Sequence, residues 1–146
     1  GLNVKLSYKN WDFGFNGHGS LGYKVFNDFA SNHSTGYFDV NAGNLPNFAT
    51  AVKRTGFTQI SGDYQFFSDF YLENASFFRM DDINLGYTFK EIGNWEGNIR
   101  VAASCQNVFV ITNYSGIDPE INSTDGVDRT FWPRPRTFSV RLNVNF

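Results

Sequence analysis

Cysteine is nearly absent: the 146 residues hold one, Cys105, and one methionine, Met80. A lone cysteine excludes an intrachain disulfide framework and a cysteine-built metal cluster. Excess positive charge is missing too. Twelve Lys and Arg stand against 14 Asp and Glu, a formal charge of -2, so nothing in the balance points to nucleic acid. No stretch approaches the roughly 18 apolar residues of a transmembrane helix. No signal peptide opens the chain, because "GLNVKLSYKN" alternates from its second residue. No Ser/His/Asp or paired-carboxylate arrangement stands out, so neither an enzyme nor a cofactor is expected. What the chain has is rings: 17 Phe, 7 Tyr and 3 Trp, 18% of all residues. Many rings without long apolar runs suit alternating strands better than a core buried on both sides.

The alternation is explicit at both ends. Leu2, Val4, Leu6 and Tyr8 are apolar, with Asn3, Lys5 and Ser7 between. This is period two, one face apolar and one polar. At Trp11 the parity flips to Trp11, Phe13 and Phe15, which a two-residue turn at Lys9-Asn10 explains, with Tyr8 and Trp11 as cross-strand partners. Strands are expected over about 2–8, 11–23, 76–89, 98–111 and 136–146, with no convincing helix. The last carries Phe138, Val140, Leu142, Val144 and Phe146 at every second position. Residues 24–75 read as a long loop region with room for short structure of its own, 112–135 as a second long loop, and 9–10 and 90–97 as short turns. A structureless connection as long as 24–75 is foreign to a compact soluble domain.

Alternating short and long connections are the signature of a transmembrane β-barrel, whose strands need roughly 9–11 residues. On this reading 9–10 and 90–97 are periplasmic turns, and 24–75 and 112–135 are outer loops. Tyr8, Trp11, Tyr87, Phe89, Trp95 and Phe146 fall at the periplasmic edge. Tyr23, Phe26, Tyr114, Phe131 and Trp132 fall at the outer one. The inward set is Lys5, Asp12, Asn16, His18, Arg100, Gln106, Arg141 and Asn143. Five strands cannot close, since such barrels have at least about eight, and an open edge cannot remain in hydrocarbon. The chain is then either a piece of a larger barrel or not a membrane protein.

"YLENASFFRMDDINLGYTF" (71–89), "IRVAASCQNVFVITNYSGIDPEI" (99–121) and "WPRPRTFSVRLNVNF" (132–146) resemble the C-terminal end of SusC/RagA-type TonB-dependent outer-membrane transporters. "GLNVKLSYKNWDFGFNGHGSLGYKVFND" (1–28) looks like the strand pair just upstream in that family. The resemblance covers nearly all the chain outside 30–65. It implies an all-β fold, five antiparallel strands forming the C-terminal portion of a large 22-stranded barrel in the outer membrane of a Gram-negative bacterium. It also implies partners: the remaining barrel and plug, a SusD-like lipoprotein over the mouth, TonB acting through a missing N-terminal part, and outer-membrane lipid. Imported substrates in such a family are glycans, sometimes peptides. The alternating set Phe138, Val140, Leu142, Val144 and Phe146 resembles the signal read by the barrel-assembly machinery; a plain amphipathic edge strand is the blander reading.

Other patterns carry less. Gly17-His18-Gly19-Ser20-Leu21-Gly22 matches G-x-G-x-x-G, and Asp12-Phe13-Gly14 spells D-F-G. A dinucleotide loop must open a helix, and no helical period follows Gly22. A kinase glycine loop precedes D-F-G, and here it follows. A strand with small residues near packed backbone fits better, and Asn16-Gly17 as a hairpin turn is the alternative. His18 and His33 lack zinc spacing. Asp118, Glu120, Asp125 and Asp128 form either a calcium loop or a solvated acidic one. Asn32, Asn74, Asn113 and Asn122 begin N-x-S/T sequons. Phe66, Phe67, Phe70, Tyr71 and Trp132 are candidate loop contacts to substrate or lid, with buried anchoring as the alternative for the first four. A soluble carbohydrate-binding β-sandwich shares the alternation and the rings but should show a polar outer face. An outer-membrane barrel enzyme would need a nucleophile and base that the sequence does not offer.

Overall fold

A computed structural model of the chain describes residues 1–33, 68–92, 95–121, 123–129 and 132–145. In chain order the elements are β1 (Leu2–Tyr8), β2 (Trp11–Ser20), β3 (Lys24–Asn27), α1 (Asp28–His33), a 3-10 turn (Asp69–Tyr71), β4 (Leu72–Asn74), β5 (Phe77–Ile92), β6 (Trp95–Thr112), β7 (Val127–Asp128) and β8 (Thr137–Asn145). They divide into two units.

The first unit holds one antiparallel sheet in the order β1-β2-β5-β6-β8. Its register follows from the alternation. Lys9, at φ 55, makes the tight turn that sets Tyr8 opposite Trp11. The central strands are long, 16 residues in β5 and 18 in β6. The stretch 90–97, expected as a turn, is therefore mostly strand: β5 runs to Ile92 and β6 begins at Trp95.

One irregularity interrupts the sheet. Asn16 pairs with Asp82 but Gly17 pairs with Met80, so Asp81 is extra on β5. On β6 the partners jump from Gln106 to Phe109. Asn107 lies there at φ 51, in the left-handed region that asparagine tolerates. The bulge swaps parity, so Phe78 and Met80 share a face with Ile83, Leu85 and Tyr87 although their numbers are even. Asn16-Gly17 lies within β2 and is not a hairpin turn.

The second unit gives part of the expected long loops short structure, including a helix (α1) where no convincing one was expected. Within Gly22–Ser76 and Asn113–Pro133 a three-stranded sheet runs in the order β4-β3-β7. β3 pairs antiparallel with β4 and parallel with β7. The second strand, expected to continue to residue 23, stops at Ser20, and a new one starts at Lys24. Val25, Ala75 and Tyr114 form the core, with Tyr23 and Ile121 packed against them. Asn27 caps α1 by accepting the Ala30 N–H at 2.9 Å. It also donates to Glu73 at 3.0 Å and to Ser115 at 3.1 Å. Tyr23 donates its hydroxyl to the Pro119 carbonyl at 2.6 Å.

Candidate functional site

The pairing across the first unit sorts its side chains into two faces. One row joins Tyr8, Trp11, Tyr87, Val101 and Leu142; the next joins Leu6, Phe13, Leu85, Ala103 and Val140; a third joins Val4, Phe15, Ile83, Cys105 and Phe138. All five strands contribute to each row, so the apolar surface is continuous. It is also open: Leu6, Trp11, Leu85, Phe138, Leu142 and Val140 are exposed, the last at 80%. A continuous exposed apolar face of that kind marks a surface that a membrane or a partner covers.

The opposite face is polar. Asn3, Asn16, Asp82, Gln106 and Thr137 form one row. Lys5, Gly14, Asn84, Ser104 and Ser139 form the next, followed by Ser7, Asp12, Gly86, Ala102 and Arg141. The register also puts Arg100 beside Asn143 and His18 beside Arg79 on this face. Arg100 reaches across β5 to Asp12, donating to its two carboxylate oxygens at 3.0 and 2.5 Å. The bridge passes over a glycine: a Cβ on Gly86 would lie 2.5 Å from the side-chain ends of both partners as they stand. At the bulge His18 Nδ1 meets the Asp81 carboxylate at 2.7 Å, and the His18 ring stands edge-on to Phe77. Arg79 is buried and donates to the Asn107 side chain at 2.8 Å. Sequence reasoning missed Arg79, Asp81, Asp82 and Asn107 here. The signal was available, since the parity break between Met80 and Ile83 in "RMDDI" marks the bulge.

Rings crowd the end of the sheet nearest the Lys9-Asn10 turn. Trp11 and Tyr87 meet edge to face with centroids 4.7 Å apart, as do Tyr87 and Phe89. Lys9 holds its ammonium 5.3 Å from the centre of the Tyr8 ring. The Trp95 side chain and Phe146 lie outside the described residues. The rings expected at the other end are used differently. Tyr114 is a core residue of the second unit, Tyr23 packs on that core, and Phe26 faces Tyr71 at 6.3 Å. Phe131 is outside the described residues.

The candidate loop contacts separate. Trp132 is 94% exposed and Phe70 is exposed, so each offers a ring face. Tyr71 is 2% exposed, so it anchors the 3-10 turn and cannot present its ring. Phe66 and Phe67 lie outside the described residues, as does the His33 side chain. Asp118 accepts the Glu120 backbone N–H at 2.9 Å, and Asp128 and Asp125 each have partners of their own. Tyr114 donates to the buried Asp128 at 2.7 Å; its pKa is raised, first by burial and then by that carboxylate. Asp125 pairs with Arg129 at 2.6 Å and accepts from Ser123, which hold it well below the usual carboxylate range. Among the described residues no three His, Cys, Asp or Glu are placed to hold a metal ion.

The glycine motif is accounted for by packing. Gly17 and Gly19 lie inside β2, where a Cβ would come 2.6 Å from the backbone oxygens of Arg79 and Phe77 respectively. No helix of the described residues is long and apolar enough to cross a membrane, which says nothing of strands.

The TonB-dependent receptor SusC of Bacteroides thetaiotaomicron is 40% identical over 157 residues, covering all of this chain. The chain is homologous to SusC/RagA-type TonB-dependent receptors. The TonB-dependent receptor P3 of Formosa agariphila is 28% identical, again over the whole chain. The SusC/RagA-like chain spans 15% of the SusC receptor's length and 16% of P3's. Its backbone matches part of the structure of the RagAB peptide transporter, with a TM-score of 0.68 at 23% identity, over 93% of this chain and 15% of that one. The RagAB peptide importer in the "open-open" state gives a TM-score of 0.69 at 19% identity, over 96% of this chain and 16% of that one. No protein-family model matches. TonB-dependent receptors are outer-membrane proteins of Gram-negative bacteria, and they are transporters rather than enzymes. The SusC/RagA-like chain is mostly β, and its described strands do not close into a barrel.

Proposed function

We propose that this chain forms five consecutive wall strands near the C-terminal end of a 22-stranded SusC-like transporter that imports glycans, or peptides, across the outer membrane. One observation carries the reading: three unbroken apolar rows run across all five strands of the sheet, with a polar row behind each. The apolar face meets lipid. The polar face lines the lumen, where the plug sits and where Asp12, Arg100, Arg141 and His18 meet water or plug. The second unit belongs to the outer mouth, where Trp132 and Phe70 meet substrate or a SusD-like lipoprotein. The turn at Lys9-Asn10 and the one between β5 and β6 are periplasmic. TonB acts through a part of the receptor other than this chain. On the same reading the alternating set Phe138, Val140, Leu142, Val144 and Phe146 is captured by the barrel-assembly machinery through strand addition.

A soluble sandwich would instead need a second sheet over those rows, and within the first unit the described strands form a single sheet. The test places arginine on adjacent residues of β8 in the full-length receptor. Val140→Arg should destabilise the folded barrel by about 2–4 kcal/mol, the cost of a cation on the lipid side near mid-membrane. Ser139→Arg should change stability by less than about 1 kcal/mol. Equal losses would remove the lipid-facing assignment.

A further inference from the structure

The apolar face is not uniform. Where Ala103 places only a methyl between larger neighbours, a groove of about 500 Å³ opens, lined by Trp11, Leu85, Tyr87, Phe89, Val101 and Ala103. Its lining joins Ala103, the smallest apolar side chain there, to the ring cluster of Trp11, Tyr87 and Phe89. The register puts it one row from the Lys9-Asn10 turn, since Tyr8 pairs with Trp11 and Trp11 with Tyr87.

Lys9 is an unusual residue for that turn. At φ 55 it occupies left-handed backbone that glycine and asparagine adopt more readily than lysine. A disfavoured conformation is a reason to ask what the side chain does. Its ammonium is folded onto the Tyr8 ring, 5.3 Å from the centroid. Tyr8 belongs to the apolar face and pairs with Trp11, which lines the groove, so the cation lies on that face at the Trp11 end of the sheet. A charge held there by a ring, with its aliphatic stem along apolar surface, is in the position of a snorkelling lysine at a membrane interface.

We propose that Lys9 and the Ala103 groove form one site for an anionic phospholipid. The phosphate sits against the Lys9 ammonium, and one acyl chain lies in the groove over Ala103, under the rings of Trp11 and Tyr87. The charge complementarity selects an anionic headgroup, and the hydrocarbon lining next to it selects an amphiphile over a soluble anion. The site rests on the lipid-facing assignment of this sheet and adds to it a fixed position and a headgroup preference.

The test uses the full-length receptor in phosphatidylcholine vesicles containing either brominated phosphatidylglycerol or brominated phosphatidylcholine. Quenching of Trp11 is taken as the difference between the parent and Trp11→Phe. Half-quenching should need about fivefold less brominated phosphatidylglycerol than brominated phosphatidylcholine, the weight of one lysine near an anionic lipid. Lys9→Asn removes the charge and keeps a residue that suits the turn, and it should erase the difference. Ala103→Phe fills the groove and should weaken quenching by both lipids. Equal quenching by the two lipids in the parent overturns the site and leaves the lipid-facing wall intact. So does a preference that survives Lys9→Asn, or quenching unchanged by Ala103→Phe. Absence of Trp11 quenching by either lipid overturns the site together with the wall assignment.

Discussion

Two glycines of this sheet do opposite jobs, although both sit in strands. Gly17 lets β2 approach β5 at the bulge: a Cβ there would press on the Arg79 backbone oxygen at 2.6 Å. Backbone cannot swing aside, so Gly17→Ala should cost roughly 1–3 kcal/mol through overpacking. Gly86 makes room for side-chain ends, the Asp12 carboxylate and the Arg100 guanidinium. Those can rotate away. The pair is about one third exposed, so losing its geometry costs no more than about 1 kcal/mol. A methyl also relieves the entropic cost of strand glycine. Gly86→Ala should therefore be close to neutral. Urea midpoints of the two full-length variants check this, and a larger loss for Gly86→Ala than for Gly17→Ala would contradict it.

At the scale of elements, the second unit depends on a buried phenol. Burial and the hydrogen bond to Asp128 raise the Tyr114 pKa above its ordinary value of 10.0. A group whose folded-state pKa is raised contributes stability that is whole below the unfolded value and fades as pH climbs past it. The core of Val25, Ala75 and Tyr114 should therefore loosen as pH rises above about 10. Hydrogen exchange in β3, β4 and β7 should accelerate there, and less so in Tyr114→Phe, which has no phenol to ionise. Identical alkaline acceleration in both proteins would remove Tyr114 as the cause. The same unit shows why part of the chain resisted reading. β3, β4 and β7 have 4, 3 and 2 residues, too short to display a period of two. Tyr23 and Tyr114 carried no local sign that they would build a small core there. The long strands were legible because "LNVKLSY", "WDFGF" and "TFSVRLNVN" alternate without interruption. In β5 the alternation survives but changes phase at Asp81, and that change hid Arg79, Asp81 and Asp82 from the polar face. Among the loop rings, nothing in "DFY" distinguished exposed Phe70 from buried Tyr71. Tyr71 packs on Phe26, with ring centres 6.3 Å apart, a contact between residues far apart in sequence.

On the proposed reading, the first unit is a wall between two solvents. It has rings and aliphatic side chains on one side and charged or amide side chains on the other, with no second layer within that unit to cover the first. On the function proposed above, the apolar face meets the outer membrane. The most direct measurement is a spin-label scan of β8, one cysteine at a time from Thr137 to Asn145, in the full-length receptor in bilayers. The account predicts a period of two. Labels at Phe138, Val140, Leu142 and Val144 should be relaxed by oxygen, which partitions into lipid. Those at Ser139, Arg141 and Asn143 should respond to a water-soluble nickel complex or stand shielded by plug. A scan with no alternation, or with the two sets reversed, would contradict the account.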